Sequence, residues 1–178
     1  MKFKRFISVF LLCTCLTGLF LTPAAGALEV PDIQAKAALL ADVNTDAVAY
    51  AKNIHEKNYP ASLTKVMTAL LTLEAVDQGV LTLDQPVTAP SLVNDMDPTG
   101  SSADIKEGEV LTVEQLLYCM LVISANETCN ILGETLCGSV DAFVARMNQR
   151  AQELGCKNTH FANTTGLTPV SYTHLTLP

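Results

Sequence analysis

Apolar residues recur at helical spacing along four stretches of this 178-residue chain. Leu63, Val66, Met67, Leu70 and Leu71 follow the i, i+3, i+4, i+7, i+8 pattern of a helix with one buried face. They predict a helix from Ser62 to about Asp77, stopping near Gly79. Thr112-Val113-Glu114-Gln115 reads as a capping box that opens a second helix through Leu116, Leu117, Met120 and Leu121. A third helix is expected over residues 127–136, and Ser139 caps a fourth, whose stripe of Phe143, Met147, Ala151 and Leu154 ends at Gly155. Ahead of these, residues 37–42 and 47–51 flank the turn-rich Asn44-Thr45-Asp46 and read as a hairpin. Residues 82–108, rich in Asp, Pro, Ser and Gly, show no sustained periodicity and read as loop with short elements. Asp95 and Asp97 lie in that loop without the other ligand positions of a calcium-binding turn, so solvated turn residues are the expectation there.

The two ends carry a different signal. Three positive side chains in residues 1–5, a mostly apolar run over 6–21 and the small-x-small Ala25-Gly26-Ala27 read as a secretory signal peptide covering residues 1–27. The apolar run is shorter than the ~20 residues of a spanning helix. Residues 170–178, Val-Ser-Tyr-Thr-His-Leu-Thr-Leu-Pro, resemble the translation of a transposase library adapter and are read as an artefact. His174 therefore carries no mechanistic weight, and residues 28–169 hold the protein chemistry.

Charge and cysteine content narrow the function classes. Losing Lys2, Lys4 and Arg5 with the signal takes the formal charge from -7 to -10, which argues against a nucleic-acid partner and for a soluble exported protein. Cys119, Cys129, Cys137 and Cys156 remain, and four cysteines allow three pairings. There is no C-x-x-C and no nearby His pair to hold zinc. Because Cys119, Cys129 and Cys137 fall among apolar helical positions, buried free thiols are favoured over disulfides.

Candidate chemistry sits at Ser62 and Lys65, with Ser124 and Asn126 following. Residues three apart share a helix face, so the Lys65 amine can reach the Ser62 hydroxyl. A serine is a weak nucleophile until a base takes its proton. Lysine serves as that base when burial or a nearby positive charge lowers its pKa. At a helix start, free backbone amides favour an oxyanion and could supply half of an oxyanion hole. Ser124 offers a hydroxyl to relay protons between Lys65 and a leaving group, and Asn126 an amide to hold a substrate backbone or fix the lysine. An isolated Ser-x-x-Lys is usually an ordinary helix start, and Ser-x-Asn a turn or cap. Together, in this order and in an exported chain, they point to catalysis.

These motifs are part of a longer resemblance. Residues 35–38, Pro-Ala-Ser-Leu-Thr-Lys-Val-Met-Thr-Ala-Leu-Leu over 60–71, residues 108–113, 116–118 and 124–127, Met147-Asn148 and Thr-His-Phe-Ala-Asn-Thr-Thr-Gly-Leu over 159–167 resemble the serine-type D-alanyl-D-alanine carboxypeptidases, the low-molecular-mass penicillin-binding proteins. By that resemblance Ser62 is the acylated nucleophile, Lys65 the general base, and Ser124 and Asn126 the second pair. Glu127 takes a place where the family commonly has Asp, and Asp46 one where a turn Gly is common. The Lys-Thr-Gly of the family is absent, and Thr164-Thr165-Gly166 matches instead the family's earlier Asn-x-x-Gly-Leu stretch.

The resemblance implies a mixed α/β (α+β) fold of the β-lactamase and penicillin-binding-protein type, an antiparallel sheet flanked by helices with a helical subdomain. Its first two strands would be the hairpin before Ser62, a reading that alanine-rich strands need, since alanine is a poor strand former. Residues 28–169 would be the N-terminal part of the catalytic domain, truncated before the later strands, one of which carries Lys-Thr-Gly with the substrate-carboxylate contact and the second oxyanion amide. The implied substrate is the pentapeptide stem of peptidoglycan, with β-lactams as inhibitors and no metal or organic cofactor. The implied location is the cell wall or outer face of the cytoplasmic membrane, with anchoring through a missing C-terminal segment. Two alternatives stand beside it. A β-lactamase-like hydrolase would need a further deacylating base, and a non-catalytic wall-binding protein would keep only the fold. Residues 28–178 are expected to release no D-alanine from a pentapeptide, because the Lys-Thr-Gly strand lies beyond them. Measurable D-alanine release by the purified chain would overturn that expectation.

Overall fold

The computed structural model describes residues 32–98 and 100–167. The expected signal peptide and residues 170–178 lie outside the described residues. The chain divides into Met1–Gln34 and Ala35–Pro178, and every regular element among the described residues belongs to the second unit.

Strands β1 (Ala38–Ala41) and β2 (Val48–Lys52) form the expected antiparallel hairpin, with a register shift at Leu40/Ala41. Its turn is built by Asp42, whose Oδ1 accepts from the amides of Asn44 at 2.8 Å and Thr45 at 3.1 Å. Those two bonds favour the ionised carboxyl and hold Asp42 below its ordinary range. Asp46 then takes the left-handed φ of +55°, a conformation that explains why a glycine suits this position. Leu40 and Val48 remain exposed.

The helix expected from Ser62 starts later. Ala61–Thr64 is a 3-10 turn and helix α1 runs Lys65–Asp77. Its buried face also differs from the expected stripe. Leu63 is 67% and Val66 61% exposed, while Thr64, Lys65, Thr68, Ala69, Leu71, Thr72 and Ala75 are buried. The buried face keeps Leu71 of the expected stripe but is shifted from Leu63 and Val66 to threonines that find hydrogen bonds inside: Thr68 Oγ1 donates to the Thr164 carbonyl at 3.0 Å and Thr72 Oγ1 to the Thr68 carbonyl at 2.9 Å. A hydroxyl so satisfied costs little to bury.

Within the stretch read as loop with short elements lie β3 (Pro86–Thr88) and a further 3-10 turn over Ser91–Asp95, and β3 pairs antiparallel with β4 (Val110–Thr112) just beyond it. Helix α2 (Val113–Val122) opens with the capping box as expected: Thr112 Oγ1 accepts from the Gln115 amide at 3.1 Å, and Gln115 Oε1 from the Thr112 amide at 2.9 Å. Helix α3 (Asn126–Cys137) ends at left-handed Gly138, and helix α4 (Val140–Glu153) begins where Ser139 Oγ accepts from the Ala142 amide.

Two apolar clusters hold these elements. One gathers Ala69, Val87, Ile105, Val113, Leu116, Met120, Cys129, Ile131 and Leu132, and the other Leu71, Phe143, Met147, Ala151 and Phe161. Helix α1 contributes to both. Arg150 adds a forked link from α4 to Glu74 on α1, with Nη2 donating to Glu74 Oε1 at 2.7 Å and Nε to Oε2 at 3.1 Å; planar bidentate geometry of this kind is stronger than a single ion pair. Cys119, Cys129, Cys137 and Cys156 are free thiols as expected, but of the four only Cys129 is buried, the others being half-buried. Leu154 departs from the predicted core stripe and is 47% exposed at the end of α4.

Phe143 has no exposed surface and packs against Gly133 of α3, where an added Cβ would stand 3.0 Å from its ring. Phe143→Ala should lower unfolding free energy by about 3–5 kcal/mol. Urea denaturation followed by circular dichroism measures it, and a loss below about 1 kcal/mol would show that α4 is not part of the cooperative core.

Candidate active site

Three side chains from two loops and one helix meet at the mouth of a cleft. Lys65 begins α1, so its side chain points back along the helix towards the turn that carries Ser62. Its Nζ donates to Ser62 Oγ at 3.3 Å, to Ser124 Oγ at 2.7 Å and to the Ser124 carbonyl at 2.7 Å. Ser124 Oγ closes the triangle by donating to Ser62 Oγ at 3.0 Å. The expected meeting of Ser62, Lys65 and Ser124 is therefore present in the fold.

Both serines depend on backbone that non-glycine residues seldom adopt. Ala61, immediately before Ser62, has φ +48°, and Ser124 itself has φ +62°. Left-handed conformations at such residues cost of order 1–3 kcal/mol and persist only where the surroundings enforce them. At Ser124 the enforcing contacts are visible: its carbonyl accepts from Lys65, and the next amide, of Ala125, donates back to the Cys119 carbonyl at 3.1 Å. The chain leaves α2, turns through Ser124, and enters α3 at Asn126.

Lys65 is 3% exposed. Burial disfavours its ammonium form and lowers its pKa from the ordinary 10.5. The positive neighbour expected to assist is not what faces it. The opposing influences come from Cys129 and Glu127, both of which raise the lysine. Cys129 is itself pushed up to about 12 by burial, so its thiol is neutral below that pH and exerts no charge on Lys65. Glu127 is the remaining brake. An ammonium has three N–H groups, and three oxygens receive them here. Loss of one proton leaves a lone pair for the most distant partner, Ser62, whose own hydroxyl can then donate to Nζ.

Asn126 and Glu127 do a different job from the triangle. Asn126 is 4% exposed; its amide N–H donates to the Ser101 carbonyl at 2.9 Å, and its side chain packs on Gly100, where an added Cβ would overlap Asn126 Nδ2. Glu127 Oε1 accepts from Ser102 Oγ at 2.8 Å and the Ala103 amide at 2.6 Å. The first turn of α3 thus anchors the chain segment over residues 100–103. Nothing in the spacing of Glu127 signals this role beyond its place next to Asn126.

The cleft has a volume of about 470 Å³ and is lined by Pro60, Ala61, Ser62, Leu63, Lys65, Val66, Met120, Leu121 and Ser124. Leu63 and Val66, exposed against expectation, are its apolar wall. Among the described residues no group of three His, Cys, Asp or Glu side chains is placed to hold a metal ion. What the arrangement can do is transfer an acyl group through serine, with one amine positioned to take and return the proton.

A family model described as D-alanyl-D-alanine carboxypeptidase matches residues 24–173. The D-alanyl-D-alanine carboxypeptidase DacF of Bacillus subtilis is 40% identical over 135 residues, covering 76% of this chain and 34% of that protein. Penicillin binding protein 6B from Escherichia coli superposes with a TM-score of 0.78 at 31% identity, over 85% of this chain and 49% of the other. Penicillin-Binding Protein D2 from Listeria monocytogenes, solved in an ampicillin-bound form, gives a TM-score of 0.69 at 30% identity, over 83% and 59%. The chain thus spans from about a third to under two thirds of the length of these relatives, and the mixed α/β fold expected from the sequence is the fold of these neighbours.

A neutral Lys65 acting on Ser62 as a base would make Ser62 react faster as pH rises through the lysine's ionisation, with a midpoint below 10.5. Labelling by a small fluorophosphonate between pH 6 and 11 measures it. Lys65→Met should flatten that profile and slow labelling about 10²–10⁴-fold, the usual worth of a positioned base. An unchanged profile in the variant would remove Lys65 from the chemistry.

Proposed function

Because the chain belongs to the D-alanyl-D-alanine carboxypeptidase family, we propose that Ser62 attacks the peptide bond between the two terminal D-alanines of a peptidoglycan stem. Lys65 takes the Ser62 proton as the Cα-side carbonyl is attacked, and the tetrahedral oxyanion forms beside the turn at the head of α1. Collapse breaks the C–N bond, and Ser124 passes a proton from Lys65 to the departing amine of D-alanine. Water, deprotonated through the same Lys65–Ser124 pair, then hydrolyses the ester on Ser62 and restores the serine. Asn126 is the proposed contact for the substrate backbone.

The observation that carries this reading is the closed triangle of Ser62 Oγ, Lys65 Nζ and Ser124 Oγ, with separations of 3.3, 2.7 and 3.0 Å. Each leg is short enough for a proton to pass, and the nucleophile is on the exposed side of the triangle while the base is buried. Those are the positions that an activated nucleophile and its tuned base require. In this reading the protein is exported and works on the wall outside the cytoplasmic membrane. β-Lactams occupy the same cleft as mimics of the D-alanyl-D-alanine end.

Penicillin tests the nucleophile without requiring peptide turnover, since opening the strained ring leaves an ester on the attacking serine. Intact mass should rise by one penicillin, fragment masses should place the adduct on Ser62, and Ser62→Ala should take none. An adduct on another residue, or none after prolonged exposure, would sink the assignment; rapid release of opened penicillin would move it to the β-lactamase-like hydrolases.

A further inference from the structure

We propose that the loop over residues 163–167 is a positioning clamp for the nucleophile, with Gly166 as its contact point and Asn163 as its brace. This inference rests on the reading of Ser62 as the nucleophile. Gly166 approaches the Ser62 turn so closely that an added Cβ would overlap the carbonyl oxygen of Ala61 and stand 2.6 Å from Thr64 Oγ1. The residue it presses on is the one before Ser62, held at φ +48°. A rigid backbone surface seated against the Ala61 carbonyl fixes the direction of the Ala61–Ser62 peptide, and with it the line from Ser62 Oγ to Lys65 Nζ.

The loop is tied down at both ends and in its middle. At its base, Asn148 of α4 clasps the backbone of Phe161, accepting from its amide and donating to its carbonyl, each at 2.8 Å. Thr164 is fully buried; its carbonyl accepts from Thr68 of α1 and its hydroxyl donates to Asn130 Oδ1 of α3. Asn163 folds the tip, with Oδ1 accepting from the Gly166 amide at 2.7 Å and the Thr165 amide at 3.1 Å while Nδ2 donates to the Leu167 carbonyl at 2.6 Å. Leu167 then reaches Gly100, the glycine on which Asn126 also packs. One short loop therefore touches the nucleophile's turn through Gly166 and the floor beneath Asn126 through Leu167.

Its conformation requires glycine twice over. Gly166 has φ +77°, and no side chain fits between it and Ala61. Thr64 Oγ1, buried without a hydrogen-bond partner among the described residues, lies on the same contact, so the turn accepts an unmade hydrogen bond to keep the loop this close. An unsatisfied buried hydroxyl next to a strained residue marks a place where geometry is held at some cost in stability.

The test combines two readouts on the full chain. Gly166→Ala and Asn163→Ala should speed amide hydrogen exchange over residues 61–65. They should also slow fluorophosphonate labelling of Ser62, about a hundredfold for the glycine change, the scale on which a displacement near 1 Å acts. The Lys65 limb of the pH profile should be weakened in both. Asn163→Asp keeps the acceptor for both amides and should label within about threefold of the parent. Val87→Ala, a core change in β3, lowers stability without touching the loop; it should keep both the exchange pattern at 61–65 and the pH limb. If Gly166→Ala folds, labels at the parental rate and keeps the pH limb, or if Val87→Ala mimics it, the clamp is refuted. Should the parent chain take no label, the nucleophile reading fails, and exchange at 61–65 in the Asn163 pair alone decides the clamp: protection lost in Asn163→Ala and kept in Asn163→Asp supports it, equal protection in both overturns it.

Discussion

A lysine amine buried between two serine hydroxyls is the constraint from which the rest of this site follows. Burying an ammonium without partners would cost several kcal/mol, so the fold must surround Lys65 with oxygen on every N–H it carries. It does so with two hydroxyls and a carbonyl. That solution makes a stable resting state of the protonated amine and, through burial, a base that is easier to deprotonate than an exposed lysine. Glu127 works against the second effect. It also ties residues 102–103 to α3, so the charge that restrains Lys65 belongs to a group whose main bonds are structural.

The carbonyl of Ser124 can face Lys65 only because Ser124 takes a left-handed conformation, and Ser62 is likewise delivered by left-handed Ala61. Two such residues cost of order 2–6 kcal/mol together, comparable with a large part of a small domain's net stability. The offset is supplied outside the triangle. Phe143, Met147 and Ala151 bury one face of α4 completely, Arg150 forks onto Glu74 of α1, and Asn148 holds Phe161 by its backbone. Helix α4 never reaches the cleft, yet it fixes both α1, which bears Lys65, and the segment through Phe161 that leads into the 163–167 loop.

How legible this was in the sequence differs from element to element. The capping box at Thr112, the Ser139 cap and the Phe143-Met147-Ala151 stripe all lie where pattern alone put them, because local hydrogen bonding and burial agree there. The meeting of Ser62, Lys65 and Ser124 was also readable, from spacing joined to resemblance. Helix α1 was read only in part: Leu71 is core as expected, but Thr68 and Thr72 share its buried face, and a threonine counts as buried only when its partner, for Thr68 the Thr164 carbonyl 96 residues away, is known. The β3–β4 ladder escaped for a similar reason: strands of three residues carry too few alternations to show a period of two. Gly166 stood within a recognisable Asn-x-x-Gly-Leu, but its contact with Ala61 is a fact of three dimensions.

The shift in the buried face of α1 has a chemical use. With Thr68 turned inward to the loop and Val66 of α1 and Leu63 of the preceding turn facing outward to the cleft, this segment offers a substrate an apolar wall beside a polar reacting centre. Whatever lies on Leu63, Val66 and Leu121 displaces water from the cleft on which Ser62 and Ser124 open. Removing that water disfavours the ammonium of Lys65 further and strengthens the remaining polar contacts around Ser62. Filling the cleft would therefore shift the ionisation of Lys65 through solvent, and burying Leu63 and Val66 in place of Thr68 would have left the wall without its apolar surface and the 163–167 loop without its threonine bond.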